Sequence, residues 1–214
     1  MDSLIYREDF IDEKVWSAAL ECRELRGTEP PFSRAQLDRV QSLAIVGAHG
    51  LGDLRLFKRL ERLTIQRCTF DDLAPVECLN GLKDLSIVGC EISDADMKRL
   101  SGLVGLSRLE MTGCNVSAIA PLAKLINLTE LALDLNTITD VSPLAELSGL
   151  EALSLMANPL RSVAPLRQLK NLKQLYVDLD KVSDAETITD SPLADVINID
   201  MYPPEYYKNL ETDD

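Results

Sequence analysis

Leucine and other aliphatic residues recur along most of the chain in segments of eleven residues. The shared pattern is L-x-x-L-x-L-x-x-(N/C)-x-L, and six segments match it with conservative substitutions: 60–70, 82–92, 106–116, 128–138, 150–160 and 172–182. A weaker copy begins at Val40 and a truncated copy begins at Val196. The eight unit starts (40, 60, 82, 106, 128, 150, 172 and 196) lie 20 to 24 residues apart. Self-similarity at such a period is typical of a repeat protein.

The spacing within one unit predicts a short strand. Positions four and six, counted from the first leucine, point to one side of the strand, and position five points to the other. One unit cannot bury its apolar side alone, so units stack and share a core. Position nine turns inward, where a polar side chain can bond backbone groups at the bend. We therefore predict an α/β leucine-rich-repeat solenoid of about eight units, with a curved parallel sheet on the concave side and short helices and 3-10 turns on the convex side.

The connecting halves of the units also repeat. Pro75, Pro121, Pro143 and Pro165 stand at equivalent positions. Proline suits the first turn of a short helix, where its missing N–H is no loss. Two longer connections open with S-D-A-(D/E), which predicts helices capped by Ser93 and Ser183.

The first 39 residues differ from the repeats. Residues 12–25 have the pattern of an amphipathic helix with Asp12 as its cap, and Ser33 opens a second short helix. We predict that residues 1–39 form a helical N-terminal cap, with Trp16 in its core, because a solenoid must cover its first unit. Residues 40–201 form the leucine-rich repeats, and residues 202–214 form an acidic tail or C-terminal cap.

The unit TDVSPLAELSGLEALSLMANPL (139–160) and its neighbours resemble the bacterial leucine-rich-repeat proteins of the 22-residue type, the internalins. The resemblance covers about residues 40–201. It implies the fold but not the partner, because proteins that share a fold bind unrelated molecules. Unlike internalins, the chain shows no signal peptide, immunoglobulin-like domain or wall anchor, so we expect a bacterial protein located in the cytoplasm.

The charge of the chain bears on its partner. There are 35 acidic residues against 22 basic ones, a formal net charge of −13. This excess argues against nucleic acid and anionic membranes, because phosphate would be repelled. The stretch 176–214 alone holds eleven acidic residues and two lysines. We therefore expect a basic protein partner; the sequence leaves the oligomeric state open.

No residue pattern in the sequence points to catalysis. The single histidine, His49, has the setting of a surface residue beside a glycine-rich bend, and the G-x-x-G-x-G within 44–53 lies inside a repeat. Cys68, Cys90 and Cys114 occupy position nine at the repeat period, which favours packing over a metal site or disulfide. We expect no enzyme activity, no cofactor and no metal.

The exposed positions three, five, seven and eight of the strand side are the candidate binding surface. In the C-terminal half they alternate acids with large apolar residues, a make-up common at binding hot spots. The candidate partner-binding residues are Glu110, Glu130, Asp134, Leu135, Met156, Tyr176, Asp178, Leu179, Asp200 and Tyr202. We predict a protein-binding module, specifically an immunity-type inhibitor of a basic toxin. The alternatives are a cytosolic scaffold or regulatory subunit, and an exported effector that binds a host protein.

Overall fold

A computed structural model describes residues 4–198 of the chain. Its main feature is a parallel sheet of eight strands that follow one another in chain order. The strands are β3 (Ser42–Val46), β4 (Arg62–Gln66), β5 (Asp84–Val88), β6 (Arg108–Thr112), β7 (Glu130–Ala132), β8 (Ala152–Ser154), β9 (Gln174–Tyr176) and β10 (Ile197–Asn198). The sheet thus gains one strand per unit, which confirms the predicted leucine-rich-repeat architecture.

The strand register confirms the alignment of the repeats. Position four forms one column across the sheet: Leu43, Leu63, Leu85, Leu109, Leu131, Leu153, Leu175 and Ile197. The leucines of this column are buried in one continuous core, and Ile197 packs against the same core. Burial of aliphatic side chains from each unit against the next is the main stabilising term of such a stack.

The last strand corrects one prediction. Ile197 lies opposite Leu175, so the final step is 22 residues, whereas a unit starting at Val196 would place Ile199 there. The sequence V-I-N-I carries isoleucines two residues apart. A shift of two residues keeps the same side chains on the core side, so the apolar pattern alone does not distinguish these registers.

Short helices connect the strands. They are the α-helices α3 (Ala74–Glu77), α4 (Asp94–Leu100) and α5 (Glu186–Thr189), and the 3-10 helices Gly52–Leu56, Ala120–Lys124, Ser142–Glu146, Ala164–Gln168, Leu179–Lys181 and Pro192–Val196. The four repeated prolines lie in the first turns of their helices, as predicted. The helices of consecutive units pack against one another, and their buried residues belong to the same core as the strands.

One of the two predicted serine caps is correct. The Ser93 hydroxyl accepts a hydrogen bond from the Asp96 N–H and caps α4. Ser183 does not cap α5, which begins two residues later than expected with Ala185 at its N-cap. The neighbouring Asp184 instead accepts hydrogen bonds from the N–H groups of Val163 and Ala164 in the preceding unit. The carboxylate thus ties α5 to that unit, and this requirement overrides the local capping box.

The N-terminal region contains α1 (Glu13–Glu21) and α2 (Arg34–Leu37), capped by Asp12 and Ser33 as predicted. A two-stranded antiparallel sheet, β1 (Leu4–Ile5) with β2 (Phe32–Ser33), and a 3-10 helix, Arg7–Asp9, complete it. Trp16 packs between the rings of Phe10 and Phe32, at centroid distances of 5.0 and 5.6 Å.

Helix α1 packs on β3, the first strand of the large sheet. Buried Asp53, on the 3-10 helix Gly52–Leu56, holds the start of α1, because its two carboxylate oxygens accept hydrogen bonds from the N–H groups of Ile11 and Asp12. This packing agrees with a cap over the first unit. The boundaries at residues 39 and 201 stay predictions, and the tail 202–214 lies outside the described residues.

Position nine forms a buried column behind the strands. The Asn136 amide donates to the carbonyl oxygens of Met111, Leu133 and Asp134, and its oxygen accepts from the N–H groups of Cys114 and Val116. Asn158 repeats most of this arrangement one unit later. Cys68, Cys90 and Cys114 occupy the same column with their thiols on backbone carbonyls.

The column ends before Asp180. This residue lies within the 3-10 helix Leu179–Lys181 and is exposed, which corrects the expectation that it points inward.

Candidate protein-binding surface

The strands present an outer sheet face, which we define as the side chains at positions three, five and seven of units 40 to 172. In β3 and β4 these alternate strictly with buried aliphatic residues. The strands β3 to β6 extend through position seven, whereas β7, β8 and β9 end at position five. Position seven therefore lies on a strand in the first four units and beyond the strand in the next three. This difference decides the placement of several candidate residues.

Asp134 is buried, with 4% of its surface exposed, which corrects the expectation of an exposed acid. Its Oδ1 accepts hydrogen bonds from the Ser154 hydroxyl at 2.5 Å and the Met156 N–H at 2.7 Å. Because the chain turns after Ala132, the carboxylate folds back onto the next unit. Burial raises the pKa of Asp134, the two hydrogen bonds oppose this effect, and the negative charges of Glu110 and Asp178 add to it.

Met156 is also buried, at 9% exposure, which corrects the expectation of an exposed methionine at position seven. Leu135 follows Asp134 with a left-handed backbone, φ 54°, and is half-buried. Leu179 begins a 3-10 helix and packs against the core, which corrects its expected exposure. In each case the backbone leaves the strand before the residue, so strand alternation no longer sets the side-chain direction.

Asp178 is half-buried and partly neutralised. Its Oδ2 accepts hydrogen bonds from the Ala157 N–H at 2.9 Å and from the Lys181 ammonium at 3.1 Å. Asp134 and Asp178 thus hold consecutive N–H groups, those of Met156 and Ala157, from opposite sides. Both carboxylates support the turn of the intervening unit, and their loss would alter the fold as well as the surface.

Glu110 stands at position five of β6 and remains available at the outer sheet face. Its two carboxylate oxygens accept hydrogen bonds from the hydroxyls of Ser86, at 2.8 Å, and Thr112, at 3.5 Å. Among residues 4–198 it has no salt-bridge partner. Glu110 therefore carries an uncompensated negative charge held in place by neutral groups.

Glu130 has a different environment. The Arg108 guanidinium donates to both of its carboxylate oxygens, at 2.7 and 2.9 Å, and to Asp84 at 3.2 Å. The Arg108 hydrogen bond lowers the pKa of Glu130, and the same pairing raises the pKa of Arg108. The guanidinium thus pairs with two carboxylates. The sequence analysis did not identify Arg108, although Arg108 and Glu130 stand at the same position of adjacent units.

A shallow pocket of about 290 Å³ lies on the outer sheet face between β6 and β9. It brings together three candidate residues: Glu110, Glu130 and Tyr176. The other lining residues are Arg108, Leu109, Leu131, Ala132, Ala152, Leu153, Ser154 and Gln174. The small side chains at Ala132 and Ala152 leave the space. The space could have been inferred from the sequence by comparing residue sizes along positions three and five of adjacent units.

The remaining candidates are not brought to this pocket. Asp134, Met156, Asp178, Leu135 and Leu179 lie beyond the strand ends, as described above. Asp200 and Tyr202 lie outside the described residues.

The N-terminal end of the outer sheet face has the opposite character. A groove of about 880 Å³ beside β3 is lined by four arginines and two glutamates: Arg23, Arg26, Arg39, Arg62, Glu21 and Glu24. Val46 on β3 is 54% exposed. The outer sheet face is therefore mostly neutral at its first units, with arginines of the N-terminal region beside it, and acidic at β6 and beyond.

The described residues contain no arrangement suited to metal binding, because no three His, Cys, Asp or Glu side chains converge. Burial raises the pKa of the Cys114 thiol to about 11, so the thiol stays protonated at neutral pH and is a poor nucleophile. His49 is exposed, as predicted, and its ring nitrogen contacts the Thr69 hydroxyl at 3.0 Å. Between residues 4 and 198, no helix has the length and apolar composition needed to span a bilayer.

Solved structures of two internalins from Listeria monocytogenes are similar to this chain. Internalin C2 matches with a TM-score of 0.74 and 25% sequence identity, over 89% of this chain and 88% of that one. Internalin F matches with a TM-score of 0.46 and 17% identity, over 92% of this chain and 77% of that one, which is too low to support an argument. No protein-family model matches the chain, and comparison with curated proteins gave no match.

Proposed function

Starting from the internalin-like leucine-rich-repeat fold of this chain, we propose that it is a non-enzymatic module that binds a basic protein through the outer sheet face from β6 to β9. The fold supports protein binding in general terms. The main observation in favour of a basic partner is the environment of Glu110. Its carboxylate is held by two hydroxyls and has no cation as partner in the described part of the chain. A basic side chain of a partner would supply the missing charge.

The electrostatics of the surrounding surface support the same partner. Buried Asp134 lies close enough to Glu110 and Asp178 for their charges to raise its pKa. A cation near Glu110 would offset part of the negative charge that acts on Asp134. The formal net charge of −13 adds long-range attraction for a basic protein, and such steering raises association rates.

Tyr176 supplies the apolar part of the surface. It is half-buried at position five of β9, beside the space left by Ala152. A partly exposed aromatic ring offers contact area at low entropic cost, and aromatic residues are common at binding hot spots. Tyr176 lies three strands from Glu110 on the same face. Together Tyr176 and Glu110 frame a patch that binds through both apolar contact and charge.

We further propose that the partner is a toxin that this chain neutralises in the cytoplasm. A basic enzyme that acts on nucleic acid carries the charge that the acidic surface matches. The free thiols of the buried cysteines are in keeping with a reducing compartment. Inhibition of such an enzyme by the purified chain supports this role. Bridging of two cytosolic proteins would support a scaffold, and dependence on a secretion system would support an exported effector.

The experiment is affinity capture from the source cells with the wild-type chain and with Tyr176→Ala, at low and high salt. We expect a protein of high isoelectric point that wild type retains at low salt, and that both Tyr176→Ala and high salt release. The purified partner is then tested for nuclease or other enzyme activity with and without the chain. Capture of an acidic protein, or equal capture by both chains, would show that the proposed surface is wrong.

A further inference from the structure

The pocket between β6 and β9 has the dimensions of a site for one side chain. Its floor is made by Ala132 at position five of β7 and by Ala152 and the buried residue Ser154 at positions three and five of β8. The flanking strands carry larger residues at position five, Glu110 on β6 and Tyr176 on β9. The volume of about 290 Å³ is too small for a helix or a strand of a partner but admits a single long side chain.

The charges around the pocket select a cation. Arg108 contributes no free positive charge, because Glu130 binds it through two hydrogen bonds and Asp84 through a third. These three side chains together carry one negative charge. Glu110 adds a second, and its hydroxyl partners leave further lone pairs on both oxygens. An anionic or purely apolar group would therefore be disfavoured in this pocket.

The geometry favours a planar cation over a point charge. The pocket has a carboxylate on one side, at Glu110, and an aromatic ring on the other, at Tyr176. Glu110 and Tyr176 stand three strands apart, about 14 Å at the usual strand spacing, so one planar group cannot contact both. A guanidinium pairs with a carboxylate through two parallel hydrogen bonds, while the aliphatic part of the same arginine side chain can pack on the aromatic ring. An ammonium group satisfies the charge but cannot form the planar pairing.

We propose that this pocket receives one arginine side chain of the protein partner, with Glu110 pairing the guanidinium and Tyr176 packing against the aliphatic part of the side chain. This assignment rests on the proposed function and names the residue that the outer sheet face recognises. Ala152 determines access, because any larger side chain at that position fills the pocket. The partner must then present an exposed arginine, and the surface around that arginine must not be acidic, because Glu110 and Glu130 line the pocket.

The test is an NMR titration of the full chain with the peptide acetyl-Gly-Arg-Gly-amide. The control peptides replace arginine with citrulline, which is its neutral isostere, or with lysine. We expect the arginine peptide to shift the amide signals of Ala132, Ala152 and Leu153 and to bind about tenfold tighter than the citrulline peptide, with lysine between them. Equal shifts with arginine and citrulline, or shifts confined to other residues, would overturn the proposal.

Two variants test the residues of the pocket. Glu110→Gln keeps the shape of the side chain and removes its charge, and should reduce arginine binding to the citrulline level. Ala152→Leu fills the floor without changing charge and should abolish the shifts. Glu146→Gln, on the 3-10 helix Ser142–Glu146 away from the sheet, is the matched control and should bind as wild type does. If Ala152→Leu does not fold, Glu110→Gln still decides: unchanged arginine binding by that variant refutes the assignment.

This inference and the proposed function fail in different ways. If the arginine peptide does not bind but Glu110→Arg weakens capture of the natural partner, the outer sheet face is correct and the arginine pocket is wrong. If the peptide binds but Glu110→Arg leaves partner binding intact, the pocket exists and the proposed function of the face is wrong.

Discussion

Replacing Asn136 with alanine should reveal how strongly the inner column stabilises the chain. The wild-type side chain makes five hydrogen bonds to backbone groups and is 5% exposed. The alanine variant leaves the N–H groups of Cys114 and Val116 buried without an acceptor. An unsatisfied buried group costs about 1–3 kcal/mol, so we expect a loss of about 3–5 kcal/mol in the free energy of unfolding.

Cys114→Ala is the control, because Cys114 occupies the same buried column one unit before Asn136. Its thiol donates weakly to the carbonyls of Ile87 and Thr112, at 3.2 and 3.4 Å, and its sulfur interacts with the backbone of Cys90 and Gly89. Sulfur is a weak hydrogen-bond partner, so removing it should cost about 1 kcal/mol. The difference between the two variants isolates the asparagine hydrogen bonds from the loss of buried volume.

The assay is equilibrium unfolding in urea, followed by circular dichroism and by the fluorescence of Trp16, the single tryptophan of the chain. Because the core is continuous from the cap to the last units, both signals should shift together in Asn136→Ala. A loss within 1 kcal/mol of that for Cys114→Ala would refute the reasoning. An unchanged Trp16 transition would show that the cap unfolds independently of the fifth unit.

Three further variants test other parts of the structure. Gly113 has a left-handed backbone, φ 62°, with open space where a Cβ would lie, so Gly113→Ala should destabilise by about 1 kcal/mol through conformation alone. Ala157 has the same conformation, φ 55°, so Ala157→Gly should stabilise by about 1 kcal/mol in the same urea assay. Burial raises the pKa of Asp134 in the folded chain, so its ionised form costs stability above that folded pKa. Asp134→Asn keeps an acceptor for Ser154 and Met156; it should melt at a higher temperature than wild type at neutral pH and lose this advantage as the pH falls towards the unfolded pKa of about 3.9. An equal advantage at all pH values would contradict that assignment.

The repeat period predicted the sheet because the leucine at a given repeat position is buried in the core in each unit. Leu63 and Leu85, for example, pair in register as the alignment requires. The same reasoning could not place the last strand, since the sequence offers an isoleucine for this column at both 197 and 199. Register there depends on how α5 and the following 3-10 helix pack, which is a tertiary property.

The candidate surface was only partly predictable for a related reason. Alternation along a strand correctly placed Glu110 and Tyr176, which stand within β6 and β9. It failed for Asp134 and Met156, because β7 and β8 end two residues earlier than β3 to β6. Where a strand ends depends on backbone conformations such as the left-handed turn at Leu135, a position at which other units use glycine. An aliphatic residue at that position gives no sequence signal of a turn.

The central claim is that the outer sheet face from β6 to β9 binds a basic protein through its negative charge. The most direct test compares the dissociation constants of two charge reversals for the captured partner: Glu110→Arg on the face and Glu146→Arg on a connecting 3-10 helix. Both variants change the net charge equally, so long-range attraction is matched. We expect Glu110→Arg to weaken binding by at least about tenfold more than Glu146→Arg does. Equal effects of the two reversals would contradict the account.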